Sequence, residues 1–397
     1  MTLVTSRRGF LAGAAVVGGA ALAPVSWPAP ALARPGLIAK PTPPEWFIDH
    51  GSNAEMLWGS VDRASYLTPQ SRLFVRNHTK TPTIAAGDYA LRVFGDGLAT
   101  ARPEADALSL TLRDLQRLPR HRLTSVLECT GNGRRYYAAQ QGETVSGTPW
   151  GLGAVGTVRW EGVRLRDVLR AVGLSRDAVS IQAAGLDDPY VNGGVDHGRV
   201  RRPFPVAKAL DDALLAWGMN GEDLLPDHGY PLRLVLPGWV GIGSIKWLGT
   251  LEVSRSELTS PWNTQWYRMT GPQWPADAPA LTVNPVRSAW ELADDAVLPA
   301  RPVTLTGRSW SGAGRISQVS VSLDDGASWR PAVLDRRSRQ DAGWTQWSVL
   351  WGRPRPGTHH LLARATDELG RTQPLRAAVN SQGYFFDAVV RQPVVVA

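Results

Sequence analysis

Cysteine is nearly absent from the sequence, since Cys129 is the only one among 397 residues. A single thiol cannot form an internal disulfide. It also excludes the cysteine sets that ligate iron–sulfur clusters, attach c-type haem or build cysteine-rich zinc sites. Long apolar runs are absent too, because no segment beyond the N-terminus is long and apolar enough to cross a bilayer. We therefore expect no transmembrane segment in the mature chain.

Lysine runs and nucleic-acid-binding motifs are also missing. The formal net charge is +8 and the pI is near 10.0, and most of the positive charge comes from arginines scattered through the chain. Scattered arginines suit a solvated surface or a small anionic substrate, and we expect no nucleic-acid partner. The 43% hydrophobic and 20% charged residues indicate a folded globular protein, and the length predicts two domains.

The first 33 residues have the features of an export signal. In "TSRRGFLAGAAVVGGAALA", Arg7 and Arg8 precede a mildly apolar run rich in glycine and alanine, and "ALA" at residues 31–33 offers a small-x-small cleavage site. The pattern predicts a twin-arginine signal peptide over residues 1–33, in preference to a disordered basic tail. That route carries proteins that fold before export, usually around a cofactor. The sequence thus predicts a periplasmic or secreted protein.

The rest of the chain divides into two regions of different periodicity. Residues 34–45 form a proline-rich lead-in, and residues 260–285, rich in Trp, Pro, Gln and Ala, form a predicted linker. Beyond about residue 285, short strands alternate apolar and polar residues around turns such as Asp325-Gly326. The predicted fold class is α+β: a mixed α/β domain over residues 34–280, followed by an all-β immunoglobulin-like sandwich over residues 281–397.

Individual helices and strands can be assigned within the mixed domain. In "VRLRDVLRAVG" the apolar residues share one face of a helix that ends at Gly173. The same period in "PVAKALDDALLAW" predicts a helix that continues to Trp217. "PLRLVLPGW" and "IKWLGTLEV" are predicted to be buried strands.

Cys129 lies in "LECTGNGRR", where an apolar strand is expected to run into a glycine-rich loop. Three interpretations are open for its thiol: a buried structural cysteine, a catalytic nucleophile and a thiolate ligand of a metal. The loop favours a functional group, because glycines let the backbone approach a bulky partner closely. Arg134, five residues further on, is placed to bind an anion.

Several longer motifs occur in order between residue 70 and about residue 330. They are "FVRNH", "LECTGNGR", "WEGVRLRDVL", "MNGEDLLPDHGYPLRLVLPGWVGIGSIKWLG", "SPWNTQWY" and "GRSWSGAGRISQVSVSLDDGASW". As an ordered set they resemble the signature segments of the sulfite oxidase family of molybdenum–pterin enzymes. "LECTGNGR" resembles that family's molybdenum-ligating loop, and "SPWNTQWY" resembles the stretch ending in its active-site tyrosine. The last segment resembles the start of its dimerisation domain.

The resemblance implies a molybdenum and molybdopterin cofactor. Cys129 matches the family's thiolate ligand to the metal. Arg76 and Arg134 match its two substrate arginines, whose planar guanidinium groups suit a small dianion, and Tyr267 matches its tyrosine beside the metal. The positions matched to pterin or phosphate contacts are Phe74, Asn77, His78, Asp188, His228, Arg233, Ser244, Ile245 and Lys246.

The activity implied by the resemblance is oxidation of sulfite to sulfate by oxygen-atom transfer at a cysteine-ligated oxo-molybdenum centre. Electrons would pass to a separate acceptor such as a c-type cytochrome, and the C-terminal domain would form a homodimer. Within the same family, a sulfane dehydrogenase or another oxyanion oxidoreductase is the alternative. An exported binding protein without chemistry is an alternative of a different class, and metal and pterin content would distinguish it.

The sequence departs from the animal members of that family at two positions of the site. Gly133 stands where those enzymes carry the first of two paired arginines, and Trp266 stands where they carry an acid. The sequence shows no haem-b5 domain and no linker for one. It therefore resembles the catalytic subunit of a bacterial sulfite dehydrogenase.

Overall fold

The computed structural model describes residues 36–335 and 342–397. The predicted export signal, residues 1–33, lies outside the described residues. All described residues belong to one compact unit. We refer to residues 36–280 as the N-terminal part and to residues 281–397 as the C-terminal part.

The N-terminal part mixes short helices with strands. Its strands are β1 (Phe47–Asp49), β2 (Ala54–Met56), β3 (Ala90–Phe94), β4 (Leu108–Thr111), β5 (Arg120–Glu128), β6 (Val155–Arg164), β7 (Ser180–Gly185), β8 (Val191–Asn192), β9 (Val195–Asp196), β10 (Arg201–Pro205), β11 (Leu214–Met219), β12 (Glu222–Asp223), β13 (Arg233–Val235) and β14 (Leu248–Ser254). Its helices are α1 (Leu112–Gln116), α2 (Arg135–Gln141), α3 (Leu165–Val172), α4 (Val206–Asp211) and α5 (Pro261–Thr264).

Two sheets organise these strands. The first has the order β10-β7-β14-β3-β4, with β14 and β3 parallel and the other pairs antiparallel. The second runs β12-β11-β6-β5 in antiparallel pairs, and β13 also pairs with β11. Every residue of β11 is buried, so this sheet is covered on both faces. Since β5 ends directly before Cys129 and β13 begins at Arg233, the second sheet positions two of the predicted site residues.

Helix α3 forms where the apolar period predicts it. Leu165, Val168 and Leu169 are fully buried on one face. The helix ends at Gly173, whose φ of +85° is left-handed and therefore suits glycine. This part of the sequence prediction is confirmed, as are the buried strands β13 and β14.

The predicted helix over "PVAKALDDALLAW" is wrong beyond Asp211. Helix α4 ends there, and the chain re-forms as strand β11 from Leu214. Leu210, which a continuous helix would bury, is 42% exposed. The consecutive residues Leu214 to Trp217 are all buried because β11 lies between β6 and β13, which a helical period cannot distinguish from a buried strand.

The C-terminal part is made of strands packed as two sheets. The strands are β15 (Arg287–Trp290), β16 (Val297–Leu298), β17 (Val303–Trp310), β18 (Ile316–Ser322), β19 (Arg330–Pro331), β20 (Val333–Leu334), β21 (Thr345–Trp351), β22 (Gly357–Asp367) and β23 (Gln392–Val396). The sheet orders are β15-β17-β21-β20 and β16-β23-β22-β18-β19. Leu305 and Trp347 of one sheet share a core with Val319 and Leu361 of the other. A mixed α/β region followed by a β-rich region confirms the predicted fold class, while the immunoglobulin type stays a prediction.

The two parts are joined by buried polar contacts beside Cys129. Arg287 of β15 forms an ion pair of 3.1 Å with Glu128, the last residue of β5, and both side chains are almost fully buried. Its Nη1 also donates to the carbonyl of Asn132 at 2.8 Å. Residues 380–386, between β22 and β23, return to the N-terminal part, where the amide of Phe385 donates to the carbonyl of Thr130. We call residues 380–386 the closing segment.

Residues 260–285, predicted as a linker, are folded into the protein. They include α5, and Trp262 within it is fully buried. In the part of the chain that the structure describes, no helix combines the length and the apolar character needed to cross a bilayer.

Candidate functional site

Two adjoining cavities lie around Cys129. The inner cavity is lined by Phe74, Arg76, Asn77, His78, Leu127, Cys129, Thr130, Asp187, Val200, Asp227, His228, Arg233, Gly241, Ile242, Ser244, Ile245, Lys246, Trp247 and Tyr267. The outer cavity is lined by Ser52, Asn53, Arg76, Asn77, His78, Cys129, Gly131, Arg134, Ser146, Gly147, Thr148, Trp150, Tyr190, Trp266, Tyr267, Gln382 and Tyr384. Cys129 lines both cavities, so its thiol lies at the boundary between them.

The loop that holds Cys129 is fixed by backbone hydrogen bonds. The Cys129 amide donates to the carbonyl of Ala154 at 2.9 Å, and its carbonyl accepts from the amide of Asn132 at 2.9 Å. Asn132 Nδ2 also donates to Glu128 Oε1 at 2.9 Å. Glu128 and Asn132 are both fully buried, so the thiol is held on a rigid turn at the end of β5.

Arg134 passes through a cradle of three glycines. A Cβ atom on Gly131, Gly147 or Gly383 would lie 2.5–2.9 Å from atoms of the Arg134 side chain. Arg134 Nε donates to the carbonyl of Gln382 at 3.0 Å, and Nη1 donates to the carbonyl of Thr148 at 2.8 Å. Nη2 makes no hydrogen bond to a described residue, which leaves it to bind an anion in the outer cavity.

Arg76 and His78 form a second hydrogen-bonded group, in which Arg76 carries the positive charge. Arg76 Nη2 lies 3.0 Å from His78 Nε2, and Trp262 Nε1 donates to the same nitrogen at 3.1 Å. With two donors at Nε2, that nitrogen is the acceptor and the proton lies on Nδ1. Burial and the charge of Arg76 hold the pKa of His78 well below its ordinary value, so the imidazole is neutral.

Tyr267 follows α5 and is 6% exposed. Its φ of +57° lies in the left-handed region, and its carbonyl accepts from the amide of Leu281 at 2.8 Å. A bulky residue in that conformation is strained, and such strain is common where a side chain must be aimed at a site. Burial raises the pKa of Tyr267, although the charge of Arg76 opposes the shift. The phenol is therefore a hydrogen-bond donor at neutral pH.

The wall of the inner cavity carries a surplus of buried cations. Lys246 Nζ donates to the carbonyl of Asp227 at 2.9 Å and also to Asn77 Oδ1. Arg233 donates to the carbonyls of His228 and Ser244 at 2.9 and 3.0 Å. Burial lowers the pKa of Arg233, and burial together with the charge of Arg233 holds that of Lys246 well below its usual range. An anionic ligand would offset this cost.

Of the two consecutive acids after β7, Asp187 lines the inner cavity and Asp188 does not. Asp188 lies at the surface, where its side chain is 60% exposed and forms an ion pair of 3.5 Å with Lys80. Asp187 is 2% exposed, and burial raises its pKa to about 6. The two acids are consecutive in the irregular chain that follows β7, so a shift of one position exchanges the buried and exposed carboxylates.

The residues present fit a large polar, anionic cofactor. Three buried polar atoms of the inner cavity have no hydrogen-bond partner among the described residues: Thr130 Oγ1, Asp187 Oδ1 and Arg233 Nε. Buried polar atoms are nearly always paired, so these three indicate a ligand with both donors and acceptors. A pterin with a phosphate has both, and Cys129 adds the soft donor that molybdenum prefers.

Apart from Asp188, the structure brings together every site residue predicted from the sequence. Phe74, Arg76, Asn77, His78, Cys129, His228, Arg233, Ser244, Ile245, Lys246 and Tyr267 line the inner cavity, and Arg134 lines the outer one. Which of them contacts cofactor or substrate stays a prediction.

Besides Asp187, the sequence analysis missed Tyr384, Gln382 and Lys40. Tyr384 and Gln382 of the closing segment line the outer cavity, and no motif near them signals this. Lys40 lies behind the inner cavity, donates to the carbonyls of Leu73 and Gln70, and approaches His228 Nε2 to 3.5 Å. As a lysine in a proline-rich lead-in, Lys40 carries no local signal of burial.

Matches to known proteins agree with this site. Residues 78–262 match the family model of the oxidoreductase molybdopterin binding domain, and residues 281–395 match that of the Mo-co oxidoreductase dimerisation domain. Sulfite oxidase of Gallus gallus is 36% identical over 330 residues, covering 78% of this chain and 68% of that protein. Mitochondrial sulfite oxidase of Homo sapiens is 36% identical over 328 residues, and the match spans 78% of this chain but only 58% of that protein.

A solved structure extends the similarity along nearly the whole chain. The sulfane dehydrogenase SoxCD from Paracoccus pantotrophus superposes with a TM-score of 0.73 at 26% identity, covering 96% of this chain and 92% of that one. The NADH nitrate reductase of Ulva prolifera is a further relative, 32% identical over 82% of this chain and 40% of its own length. This chain belongs to the sulfite oxidase family of molybdopterin-dependent oxidoreductases.

Proposed function

We propose that this molybdoenzyme oxidises sulfite to sulfate and passes the electrons to a separate acceptor. The observation that carries the proposal is that Arg76, Arg134 and Tyr267 line the same cavity as Cys129. Two permanently charged guanidinium groups and a neutral phenol suit a small oxyanion. The sulfite oxidases of chicken and human support the choice of sulfite, as proteins of that name with 36% identity.

The cofactor supplies the redox chemistry, and the residues of the chain bind the cofactor and the substrate. When bound, the molybdenum cofactor supplies the two-electron redox step and the transfer of an oxygen atom to sulfur. The overall reaction converts sulfite and water into sulfate, two protons and two electrons. We assign the metal-ligand role to the thiolate of Cys129, which faces both cavities.

The arginines bind and orient the substrate. Arg134 holds its Nε and Nη1 on backbone carbonyls, so its Nη2 is presented to an anion without loss of side-chain freedom on binding. Arg76 is fixed in the same way, by the carbonyl of Asn77 at 2.5 Å and by the neutral ring of His78. Tyr267 donates a hydrogen bond from its phenol, since burial keeps that proton in place.

Aromatic side chains form part of the wall of the outer cavity. Trp150 is 1% exposed and packs edge-on against Phe74 and His50, with ring centroids 6.3 and 5.2 Å apart. Trp266 and Tyr190 line the same cavity and are partly buried. Apolar rings beside the two arginines lower the local dielectric constant, which strengthens their attraction for a dianion.

A second candidate substrate is reduced sulfur bound to another molecule. The match to the sulfane dehydrogenase SoxCD spans 92% of that chain, whereas the match to human sulfite oxidase spans 58% of that protein. Gly133 stands where the animal enzymes carry an arginine, and it lines neither cavity. Its φ of +84° is left-handed, and a Cβ atom would lie 2.9 Å from Arg287 Nη1, so this position favours glycine.

Export and assembly are part of the proposal. Arg7, Arg8 and the apolar run after them support twin-arginine export to the periplasm or beyond. Residues 281–395 match a dimerisation domain, which supports a homodimer. A c-type cytochrome is the acceptor we propose, since the chain carries no haem-attachment motif of its own.

The experiment uses protein purified with its cofactor from a host that makes molybdopterin. Sulfite is added, and reduction of cytochrome c or ferricyanide is followed, with molybdenum measured in the same sample. We expect molybdenum near one per chain and sulfite-dependent reduction. Loaded protein that reduces neither acceptor with sulfite, but does so with a sulfane compound, would move the assignment to the second substrate.

A further inference from the structure

Tyr384 lies between the two substrate-facing groups of the outer cavity. Its ring stacks on that of Tyr267, with centroids 5.1 Å apart and an interplanar angle of 15°. The guanidinium carbon of Arg134 lies 5.4 Å from the centroid of the Tyr384 ring. Tyr384 itself is 7% exposed and lines the cavity. One aromatic ring therefore contacts both a predicted anion-binding group and the predicted hydrogen-bond donor.

The backbone of Tyr384 is fixed on both sides of its peptide. Asn380, which is fully buried, accepts from the Tyr384 amide through Oδ1 at 3.0 Å and donates to the Tyr384 carbonyl through Nδ2 at 2.7 Å. The same carbonyl accepts from the hydroxyl of Tyr137 at 2.8 Å. The closing segment is further held by the amide of Phe385 on the carbonyl of Thr130, next to Cys129. With its backbone fixed and its ring stacked on Tyr267 at 7% exposure, Tyr384 has little freedom to move.

We propose that Tyr384 is a positioning residue for Arg134 and Tyr267, supplied to the outer cavity by the C-terminal part. This inference rests on the proposed function, because it gives Tyr384 a role in holding the groups that bind the oxyanion. The ring presents its electron-rich face toward the guanidinium, and its flat side to the phenol of Tyr267. Arg134 is held from its other edges by backbone carbonyls, so the ring completes its enclosure.

The contribution expected of the ring is moderate and specific. A cation–π contact away from water and an offset aromatic pair together correspond to about a tenfold change in an equilibrium constant. The ring faces make both contacts, so phenylalanine should keep them and leucine should lose them. Loss of the ring should weaken anion binding more than it slows the chemical step, because Tyr384 contacts the binding groups and not the thiol.

Tyr136 offers a matched control outside the site. Its ring also packs on an aromatic neighbour, Phe386, at 5.6 Å, and an arginine, Arg135, lies 4.9 Å from its centroid. It lines neither cavity. Tyr136→Leu therefore removes the same kinds of contact as Tyr384→Leu without touching Arg134 or Tyr267.

The test compares Tyr384→Leu, Tyr384→Phe and Tyr136→Leu with the wild type as cofactor-loaded protein. Sulfate binding is measured by calorimetry, and kcat, KM for sulfite and the melting temperature are measured alongside. We expect Tyr384→Leu to raise the sulfate Kd and the KM by about tenfold with a smaller fall in kcat. Tyr384→Phe should restore both constants to within about threefold of the wild type, and Tyr136→Leu should leave both unchanged.

The outcomes separate this inference from the proposed function. Wild-type sulfate affinity in Tyr384→Leu overturns the role of Tyr384, and so does an equal loss in Tyr136→Leu, which would indicate general loosening. A wild-type protein that binds sulfate but does not oxidise sulfite contradicts the proposed function, while the sulfate constants of the variants still decide the role of Tyr384. A wild-type protein that does not bind sulfate overturns the inference directly.

Discussion

The inner and outer cavities share Cys129, but different stretches of chain build them. The inner cavity is lined by residues between Phe74 and Tyr267, all within the N-terminal part. The outer cavity also needs Gln382 and Tyr384, and its Arg134 is held by a carbonyl 248 positions away. A cofactor pocket can thus be encoded in neighbouring motifs, whereas this substrate pocket depends on how a second folded region closes over it.

The cations of the two cavities are held by similar contacts. Arg233 in the inner cavity donates to two backbone carbonyls and lies 4.8 Å from the centroid of the Trp160 ring. Arg134 in the outer cavity also donates to two carbonyls and lies 5.4 Å from the centroid of the Tyr384 ring. Burial lowers the pKa of both arginines. What differs is that Gln382 and Tyr384 reach Arg134 from the C-terminal part.

The largest effect is expected from replacing Cys129, the residue whose thiol lies at the boundary of the two cavities. Cys129→Ser should lower sulfite-dependent turnover by at least about a thousandfold, because a hydroxyl is a poor ligand for a soft metal. The pterin should remain bound, since Arg233, His228 and Lys246 are unchanged. Turnover and pterin content are measured on the same preparation. A serine variant with full activity would remove the ligand assignment.

Loss of Arg134 should affect the outer cavity alone. Arg134→Gln should raise the KM for sulfite by about a hundredfold, since a charged hydrogen bond to an anion contributes about 1.5–3 kcal/mol. Arg135→Gln is the control, because Arg135 pairs with Asp294 at 2.5 Å and lines neither cavity. Molybdenum content should match the wild type in both variants. Equal KM values in the two variants would contradict the assigned role of Arg134.

A smaller effect should follow from filling the glycine cradle. In Gly147→Ala the new Cβ would lie 2.9 Å from Arg134 Cζ, so we expect a KM about tenfold higher, an energy of about 1.4 kcal/mol. Gly194→Ala in the β8–β9 hairpin is the control, with a similar positive φ of +79° and no atom within 4 Å of the added carbon. If both variants lose the same affinity, backbone strain and not the cradle is responsible.

The last expected effect is on stability and not on substrate binding, and it concerns Lys40 behind the inner cavity. Burial lowers the pKa of Lys40 from 10.5 to about 7, so the folded chain releases this proton between pH 7 and 10.5 while the unfolded chain retains it. The free energy of unfolding should then rise with pH in that window relative to Lys40→Met, approaching about 1.4 kcal/mol per pH unit. Urea unfolding at several pH values measures it. Lys80→Met, at an exposed lysine, should show no such difference.

The resemblance of short motifs to the sulfite oxidase family predicted most of the inner cavity, because its residues lie within those motifs. That resemblance pointed to Cys129, His228 and Lys246, which all line the inner cavity. The helical period of α3 was correct to its final glycine. The helix through Leu214 failed because a strand buried on both faces has no period of its own. The sequence prediction named Asp188, which is exposed, whereas the buried acid is its neighbour Asp187. A motif alone does not show which of two consecutive acids is buried.

The missed residues depend on contacts that are distant in sequence. Tyr384 reaches the outer cavity from beyond β22, and Lys40 reaches His228 across 188 positions. Neither residue lies in a recognisable local sequence pattern, because the burial of each depends on residues that contact it only in the folded protein. The same holds for the glycines at positions 131, 147 and 383. Nothing in the sequence shows that these positions require glycine, and only the position of the Arg134 side chain explains why a Cβ atom is excluded there.

Sulfite-dependent reduction of cytochrome c by molybdenum-loaded protein, measured for wild type and Cys129→Ser at equal pterin content, tests the central claim most directly. The claim is that Cys129 joins a cofactor cavity to an oxyanion cavity. It predicts reduction by the wild type and none by the serine variant. A loaded wild type that does not respond to sulfite, or a serine variant that responds equally, would contradict it.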